Sequence, residues 1–318
     1  MRGCIRPQRT FVASSRPLAI TALIAVMLVW GSTFVVTKAA AEEIPALTLA
    51  LIRFAVASIV LVPLALWRGG LARMQRPLPI KSLLLMSLSG IVLFTIAFNY
   101  ALVFASATQG SLIYALLPAA IAAAAVLFLH ERPTRRRILG VALSILGVAL
   151  VIAAGEQSGA SPQPLVGALW MIGAVVAWTA YTVFAKRLAE ADQLVVTTLI
   201  SVLGVAVLLP MSAIELTNTQ WTMPSTQAWL GVVFLGVVAS ALAYIAYSYA
   251  LRELDASLVG VFTNLDPLVG VITAVLVLDE TLHSVHIVGG AVAFAGMWLA
   301  STESHSVEKT QRSPRDAS

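Results

Sequence analysis

Charged side chains are scarce in this sequence. Only 11% of its 318 residues are Asp, Glu, Lys or Arg, whereas 59% are hydrophobic. A soluble domain carries about 25% charged residues, so this composition excludes an ordinary soluble fold. We interpret the chain as a polytopic membrane protein.

Cysteine is almost absent, with Cys4 as its one example. A single cysteine excludes an intramolecular disulfide, a cysteine metal cluster and a redox pair. The sequence also has no Walker loop, no Cys/His cluster and no Ser/His/Asp set at a plausible depth. We therefore predict no cofactor and no metal, and nothing in the chain alone supports an ATP-driven process.

Ten apolar runs are long enough to cross a bilayer, whose hydrocarbon core takes about 20 helical residues. The connections between them are short, so we predict no inserted soluble domain. The predicted fold class is an all-α polytopic membrane protein with ten transmembrane helices. The predicted spans 1 to 10 are 18–38, 46–66, 81–103, 108–129, 136–154, 166–185, 194–214, 228–250, 257–278 and 284–302.

The basic residues predict the orientation of these spans. A net charge of +5 would suggest nucleic acid in a soluble protein, but here the cations lie between the apolar runs and in the tails. If the N-terminus is cytoplasmic, all Lys and Arg except Lys38 and Arg53 fall on the cytoplasmic side. We predict two cytoplasmic termini and no nucleic-acid partner.

The second half of the chain repeats the first. Trp30 recurs as Trp178 at an offset of 148, and four further pairs share an offset of 149. Five helices per repeat is an odd number, so the second copy must cross the membrane in the opposite direction, which is an architecture of transporters. The pairs at 149 are Pro118/Pro267, Glu131/Glu280, Gly140/Gly289 and Gly147/Gly296.

The predicted organisation follows from the spans and the repeat. Two five-helix repeats cover residues 18–154 and 166–302, and an external linker, 155–165, joins them. A cytoplasmic tail precedes the first repeat at 1–17. A polar cytoplasmic tail follows the second at 303–318.

Several short motifs follow one another along residues 18–302. They are Trp30-Gly31-Ser32-Thr33-Phe34, Pro45 with Arg53, Tyr100-Ala101-Leu102 with Ala107, Leu117-Pro118, Glu131 with Gly140 and Gly147, Asn264-Leu265-Asp266-Pro267, Asp279-Glu280, Gly289 and Gly296. Together they resemble the EamA domains of the drug/metabolite transporter superfamily. Arg53 departs from the repeat, because Ser201 stands at the corresponding position.

The resemblance implies ten helices around a central cavity, alternating access and a bacterial inner-membrane location. It implies a secondary active transporter that exports a small metabolite, such as an amino acid or a drug-like compound, with protons as one candidate coupling ion. The predicted partners are this small molecule and the lipid bilayer. Two alternatives stay open: a membrane-embedded enzyme acting on a lipid or carrier-linked substrate, and a passive channel.

Span 9 carries a carboxylate near its middle, in the turn Asn264-Leu265-Asp266-Pro267. A charge at this depth costs about 2.5–3.5 kcal/mol on insertion scales, so the turn lines a wet cavity or is buried in protein. Thr263 and Asp266 share one helix face. We predict that Asp266 couples proton movement to transport or pairs with a substrate ammonium; the alternative is a structural bond.

Arg53 is the other charge deep inside a span. Its guanidinium does not deprotonate, so it needs a partner. That partner is a substrate carboxylate, Asp266 or a helix-end carbonyl, and the side chain is also long enough to reach an interface. These alternatives stay open.

Other polar and aromatic side chains inside the spans are candidates for lining the cavity or for hydrogen bonds between helices. Pro118 and Pro267 are predicted to kink their helices and to act at a gate. The candidate cavity residues beside Asp266 are Trp30, Thr33, Asn99, Tyr114, Trp178, Tyr181, Tyr244, Tyr247 and Thr263.

Glu131 and Glu280 end spans 4 and 9. A carboxylate is unfavourable beside the dipole at a helix C-terminus, so we expect each to cap the next helix or to bond a neighbouring loop. Spans 5 and 10 are rich in glycine and poor in polar side chains. We predict that they pack closely at the periphery of the bundle or form the contact of a homodimer.

Overall fold

A computed structural model describes residues 16–69, 79–129, 134–158, 163–185, 188, 191–219, 221–254, 259 and 262–301. These residues form helices and short turns, and no strand occurs among them. Two π-helical segments, π1 (Ser87–Leu93) and π2 (Phe234–Leu242), continue into α-helices at both ends. The α-helices are α1 Arg16–Ala41, α2 Ala46–Trp67, α3 Ile80–Met86, α4 Phe94–Phe104, α5 Ala107–Tyr114, α6 Leu117–Leu129, α7 Arg135–Ser158, α8 Pro164–Ala185, α9 Gln193–Asn218, α10 Thr226–Val233, α11 Ala243–Glu253, α12 Leu265–Leu278 and α13 Ser284–Ser301.

Eight helical stretches in the described part of the chain are long and apolar enough to cross a membrane, and α12 and α13 are shorter apolar helices. The chain is therefore an all-helical protein with multiple apolar spans. The count of ten spans and the inverted repeat stay predictions. Part of predicted span 9, residues 257–258 and 260–261, lies outside the described residues, and α7 continues to Ser158, into the predicted linker.

Two helices carry one of the prolines predicted to kink the chain in their first turn. α5 ends at Tyr114, and Pro118 lies in the first turn of α6. Pro267 lies in the first turn of α12, directly after the turn at Thr263-Asn264. Proline has no N–H, so it fits the start of a helix and leaves the carbonyl four residues earlier without its helical partner. At Pro118 the structure has a break between α5 and α6, and at Pro267 a turn at Thr263-Asn264 precedes α12.

The core lies between the helices in several clusters of buried side chains. One cluster, around Phe34 and Met171, joins α1, α4, α5 and α8. Another, around Phe54 and Ile200, joins α2, π1 and α9. The functional cavity described below lies among the aromatic members of these clusters.

α7 and α13 pack against each other through glycines. A Cβ on Gly147 would lie 2.3 Å from the backbone nitrogen of Ala293, and a Cβ on Gly296 would lie 2.3 Å from that of Ser144. The backbones therefore approach too closely for any side chain, as at glycine contacts of other membrane helices. Neither helix contributes a lining residue to the cavity described below, in agreement with the predicted peripheral position.

Gly147→Ala should destabilise the protein by about 1–3 kcal/mol, because the added methyl group overpacks a backbone contact that cannot yield without separating the helices. Thermal unfolding of the detergent-solubilised protein measures this effect. Gly173→Ala in α8 is the matched control, since its Cβ would meet nothing closer than 3.8 Å. Equal unfolding temperatures for the two variants would refute the close α7–α13 contact.

Candidate functional site

A small cavity lies between seven helices of the bundle. Its volume, counted as the space open to the centre of a water molecule, is about 40 Å³. One water needs about 10–15 Å³ by this measure, so the cavity admits a few waters and no metabolite. Its lining combines two opposite charges with seven aromatic side chains. The lining residues are Trp30, Thr33, Phe34, Arg53, Phe94, Phe98, Tyr114, Trp178, Tyr244 and Asp266.

Asp266 lies in the first turn of α12, where the helix dipole favours a negative charge. Its backbone N–H donates to the Thr263 carbonyl at 3.2 Å. The side-chain atom Oδ1 is buried and has no hydrogen-bond partner among the described residues. Such an atom is an exception in folded proteins, because desolvation without a hydrogen bond costs free energy. The carboxylate is thus available to a partner in the cavity.

Arg53 reaches the same cavity from α2 and is only 6% exposed. Its Nε donates to Ser240 Oγ at 2.8 Å, and its Cζ lies 5.5 Å from the centre of the Phe54 ring. Ser240 belongs to π2, a type of helix that recurs at functional sites. Within the described residues Arg53 forms no ion pair with a carboxylate, so it shares the cavity with Asp266 without bonding it.

One aromatic layer borders the cavity and consists of Trp30, Trp178, Tyr244 and Tyr247. The Trp30 ring centre lies 5.6 Å from that of Tyr244, 5.1 Å from that of Tyr247 and 6.4 Å from that of Trp178. The indole N–H of Trp30 donates to the Ala239 carbonyl at 3.0 Å. This hydrogen bond fixes the Trp30 ring, and we call the four rings the tryptophan layer.

A second aromatic layer consists of Phe34, Phe98 and Tyr114. Phe34 lies 4.9 Å from Phe98 and 5.6 Å from Tyr114 between ring centres, and all three side chains are buried. Phe94 links this phenylalanine layer to the tryptophan layer, at 5.5 Å from Phe98 and 4.7 Å from Trp178. The cavity is therefore enclosed by aromatic rings that pack without hydrogen-bonding their neighbours in the layer.

Only some of the predicted cavity residues line the cavity. Trp30, Thr33, Tyr114, Trp178, Tyr244 and Asp266 line the cavity together with Arg53. Tyr181 and Tyr247 stand behind the lining, against Trp178 and Trp30 respectively. Asn99 lies elsewhere: its amide donates to the Ala46 carbonyl at 2.8 Å and so holds the start of α2. Thr263 precedes α12 in the turn that bears Asp266.

The sequence reasoning missed Phe34, Phe94 and Phe98. Phe94 and Phe98 stand four residues apart, and Phe34 stands four residues after Trp30, so each pair shares a helix face. This spacing was the available signal. It does not separate a cavity lining from ordinary packing, because aromatic side chains serve both.

One end of the bundle carries Glu280, and we call it the Glu280 end. Here the helical structure is interrupted between α4 and α5. Glu280 accepts hydrogen bonds from the N–H groups of Ala107 at 2.7 Å and Thr108 at 2.8 Å. Lys38 Nζ donates to the carbonyls of Leu102 at 2.8 Å and Ala105 at 2.9 Å. Each charge is favourable beside the partial charge of the helix end that it caps. Backbone groups at these ends thereby gain hydrogen-bond partners, which they need inside a membrane.

Two further carboxylates at the Glu280 end bind helix starts. Glu215 accepts from the N–H groups of Leu47 at 3.1 Å and Thr48 at 2.8 Å, at the start of α2. Glu43 accepts from the N–H and hydroxyl of Ser225, the N-cap of α10. The Ser225 donors lower the pKa of Glu43. The stability that this contact contributes is present above the ordinary glutamate pKa and is lost as the pH falls through the lowered one.

All three carboxylates join distant parts of the chain. Glu43 reaches Ser225 across 182 residues, Glu215 reaches Thr48 across 167, and Glu280 reaches Thr108 across 172. Glu280 does cap a helix, but that helix is α5 and not the next one along the chain, α13, as predicted. Glu131, for which the same role is predicted, lies outside the described residues.

The helices and this cavity define a multi-pass membrane protein with a charged, aromatic-lined chamber between its spans. The chain belongs to the EamA-like transporter family, whose model matches residues 17–153 and 165–302. The match covers both halves and leaves out a short stretch between them.

Named relatives agree with this class. The chain is 27% identical to "Uncharacterized transporter YetK" of Bacillus subtilis (strain 168), over 88% of this chain and 86% of the relative. It is 26% identical to "Uncharacterized inner membrane transporter YedA" of Escherichia coli (strain K12), over 86% and 88%. It is 28% identical to "Probable terminal-alkyne amino-acid exporter" of Streptantibioticus cattleyicolor, over 88% and 92%.

A solved crystal structure shares the fold. Its TM-score to this chain is 0.61 at 19% sequence identity, and the alignment covers 94% of this chain and all of the other. At this identity the likeness concerns the fold alone.

Proposed function

We propose that this protein is a secondary active transporter that exports a small zwitterionic metabolite of the amino-acid class by alternating access, with protons as the coupling ion. One observation carries the proposal. Asp266, whose buried Oδ1 has no hydrogen-bond partner among the described residues, and Arg53, a buried guanidinium without a carboxylate there, line the same cavity.

The two charges match the two ends of an amino acid. A guanidinium presents a fork of donors that fits a carboxylate in a bidentate manner, and a carboxylate binds an ammonium group. The aromatic rings around them suit an apolar substrate side chain. The cavity is too small for such a molecule in this state, so binding must separate one of the aromatic layers. That requirement fits a transporter that alternates between open states.

Asp266 is also the proposed proton carrier. A carboxyl group that is alternately protonated and charged balances the movement of an ammonium group past it. Proton and substrate then compete for Asp266, and this competition couples their opposite movements. The exporter of Streptantibioticus cattleyicolor named above supports the amino-acid class, because its name specifies an amino-acid substrate.

The proposed architecture is two inverted five-helix repeats with both termini in the cytoplasm of a bacterial inner membrane. Local features at an offset of 149 support it. π1 ends at Leu93 and π2 at Leu242, and the C-caps of α4 and α11 are Ala105 and Leu254. The turns before α6 and α12 include Ala115 and Asn264. Local structure thus recurs with the sequence repeat.

The test is transport by purified protein in proteoliposomes with an imposed pH gradient. A mixture of L-amino acids is supplied on the side that corresponds to the cytoplasm, and mass spectrometry identifies those that accumulate against their gradient. Uphill, gradient-dependent accumulation supports the proposal and separates a transporter from a channel. Failure of every amino acid to accumulate would contradict the proposed substrate class.

Arg53→Gln should remove the preference for the amino acid over its decarboxylated amine, by about 10- to 100-fold, because a charge-assisted hydrogen bond contributes about 1.5–3 kcal/mol. Arg53→Lys should retain part of the preference, since it keeps the charge and loses the fork. Lys81→Gln is the control, because Lys81 is an exposed cation in the first turn of α3 and does not line the cavity. An unchanged preference in Arg53→Gln would show that Arg53 does not read the carboxylate.

A further inference from the structure

A second cavity opens at the end of the bundle opposite to Glu280, where α2 ends and α9 begins. We call this the Arg68 end and the cavity the vestibule. It offers about 270 Å³ by the measure used for the central cavity, which is enough for a small metabolite. Its lining includes Arg68, Asp192, Thr197, Tyr244 and Tyr249.

Tyr244 lines both the vestibule and the central cavity. Its ring lies 5.6 Å from the Trp30 ring and 6.5 Å from the Trp178 ring between centres, in edge-to-face contacts. Tyr244 therefore forms the wall between the two spaces. The other aromatic residues that line the central cavity do not line the vestibule.

The Tyr244 side chain can move without breaking a hydrogen bond. Its hydroxyl makes none with the described residues, and its ring packs edge-to-face against Trp30 and Trp178. Trp30 differs, because its indole N–H is bonded to the Ala239 carbonyl. Rotation of the Tyr244 ring into the vestibule thus costs only packing, whereas movement of Trp30 also costs a hydrogen bond.

Opposite charges flank the mouth of the vestibule. Asp192 is the N-cap of α9, and one of its oxygens accepts from the Leu194 N–H at 3.0 Å, which fixes the carboxylate. Arg68 lines the same cavity from the end of α2. Both side chains are exposed, and no ion pair joins them within the described part of the chain. The vestibule thus contains one acidic and one basic side chain, as the central cavity does, but here both side chains are exposed to solvent.

We propose that the vestibule is the site where a small zwitterionic substrate first binds at the Arg68 end, and that rotation of the Tyr244 ring then joins it to the central cavity. This inference rests on the proposed transport function. It assigns a waiting site to the vestibule and a gating role to Tyr244.

Cysteine labelling tests the gate without any substrate. Because Cys4 is the one cysteine of the sequence, the substitution Cys4→Ser alone gives a cysteine-free background. One reporter cysteine is then introduced into it. Thr33→Cys reports on the central cavity, and Thr197→Cys reports on the vestibule. Ser144→Cys, buried between α7 and α13, is the negative control. Each is labelled with a small methanethiosulfonate reagent in detergent, and the rates are compared.

Thr197 and Thr33 are both buried, but Thr197 lines the larger cavity, so we expect Thr197→Cys to react in every background and Thr33→Cys to react slowly beside native Tyr244. Tyr244→Ala should raise the Thr33→Cys rate about tenfold or more, because accessibility follows the population of the open state. Tyr244→Phe should leave that rate unchanged, since the ring still fills the wall. Tyr244→Leu should give an intermediate rate and serves if Tyr244→Ala fails to fold, which reaction of Ser144→Cys would reveal.

Equal Thr33→Cys rates beside Tyr244 and Tyr244→Ala or Tyr244→Leu would overturn the gating role. The waiting site has its own test with charged reagents on Thr197→Cys. Arg68→Gln should slow an anionic reagent and Asp192→Asn a cationic one of equal size, and the absence of both effects would overturn it. Neither result depends on which amino acid is carried, so failure of the transport assay is distinguishable from failure here.

Discussion

Asp266→Asn abolishes export driven by a pH gradient: we expect a loss of at least about 100-fold, equivalent to about 2.7 kcal/mol or more. Asparagine has nearly the same shape as aspartate and retains an acceptor oxygen, but it neither carries a proton nor balances an ammonium charge. The substitution therefore removes the charge while it preserves the packing of α12. The loss should appear in transport and not in the unfolding temperature.

Two assays separate the two roles of Asp266. Uphill accumulation in proteoliposomes requires coupling, whereas exchange of labelled for unlabelled substrate at equal pH requires binding only. If Asp266 carries both the proton and the substrate ammonium, both assays fail in Asp266→Asn. If exchange survives, Asp266 carries the proton and another group receives the ammonium.

Asp279→Asn is the matched control for this experiment. Asp279 lies at the end of the same helix, is exposed, and has a φ of 51°. Asparagine tolerates this left-handed conformation as well as aspartate does, so the control removes the same charge without straining the backbone. pH-driven transport that is unchanged in Asp266→Asn, or equally reduced in Asp279→Asn, would rule out the proposed coupling residue.

The membrane spans could be predicted because their signal is local. An apolar run of sufficient length needs no knowledge of its neighbours, and the helices α1, α2 and α9 extend only a few residues beyond the predicted spans 18–38, 46–66 and 194–214. The charged members of the cavity were predictable for the same reason. A buried Asp266 or Arg53 is costly in any arrangement, so each calls for a compensating environment.

What could not be predicted depends on contacts between distant residues. Glu43 and Glu215 look like ordinary surface acids in the sequence, and their roles follow only from Ser225 and Thr48, far away along the chain. Asn99 was a reasonable lining residue, but the nearby Ala46 carbonyl takes its amide. Tyr244 was predicted to face a cavity, yet only the packing places it between two.

Glu280→Gln should open the cavity at the Glu280 end and lower the stability of the closed state by about 3 kcal/mol. Glu280 accepts two charge-assisted hydrogen bonds from the first turn of α5, and each contributes about 1.5 kcal/mol or more. Glutamine offers one acceptor oxygen and points an NH₂ donor at the other N–H. Because 1.4 kcal/mol corresponds to a factor of ten, the ratio of closed to open protein should fall roughly a hundredfold.

Thr33→Cys in the Cys4→Ser background measures this opening, because Thr33 lines the central cavity. Its labelling should accelerate in Glu280→Gln even with native Tyr244 in place, and uphill export should fall since the two ends no longer open in alternation. Glu42→Gln is the control: Glu42 is an exposed acid at the same end of the bundle, in the α1–α2 turn, and it accepts no hydrogen bond from the described residues. Slow labelling and full export in Glu280→Gln would mean that the phenylalanine layer alone closes this end, and that the carboxylates bind helix starts without controlling access.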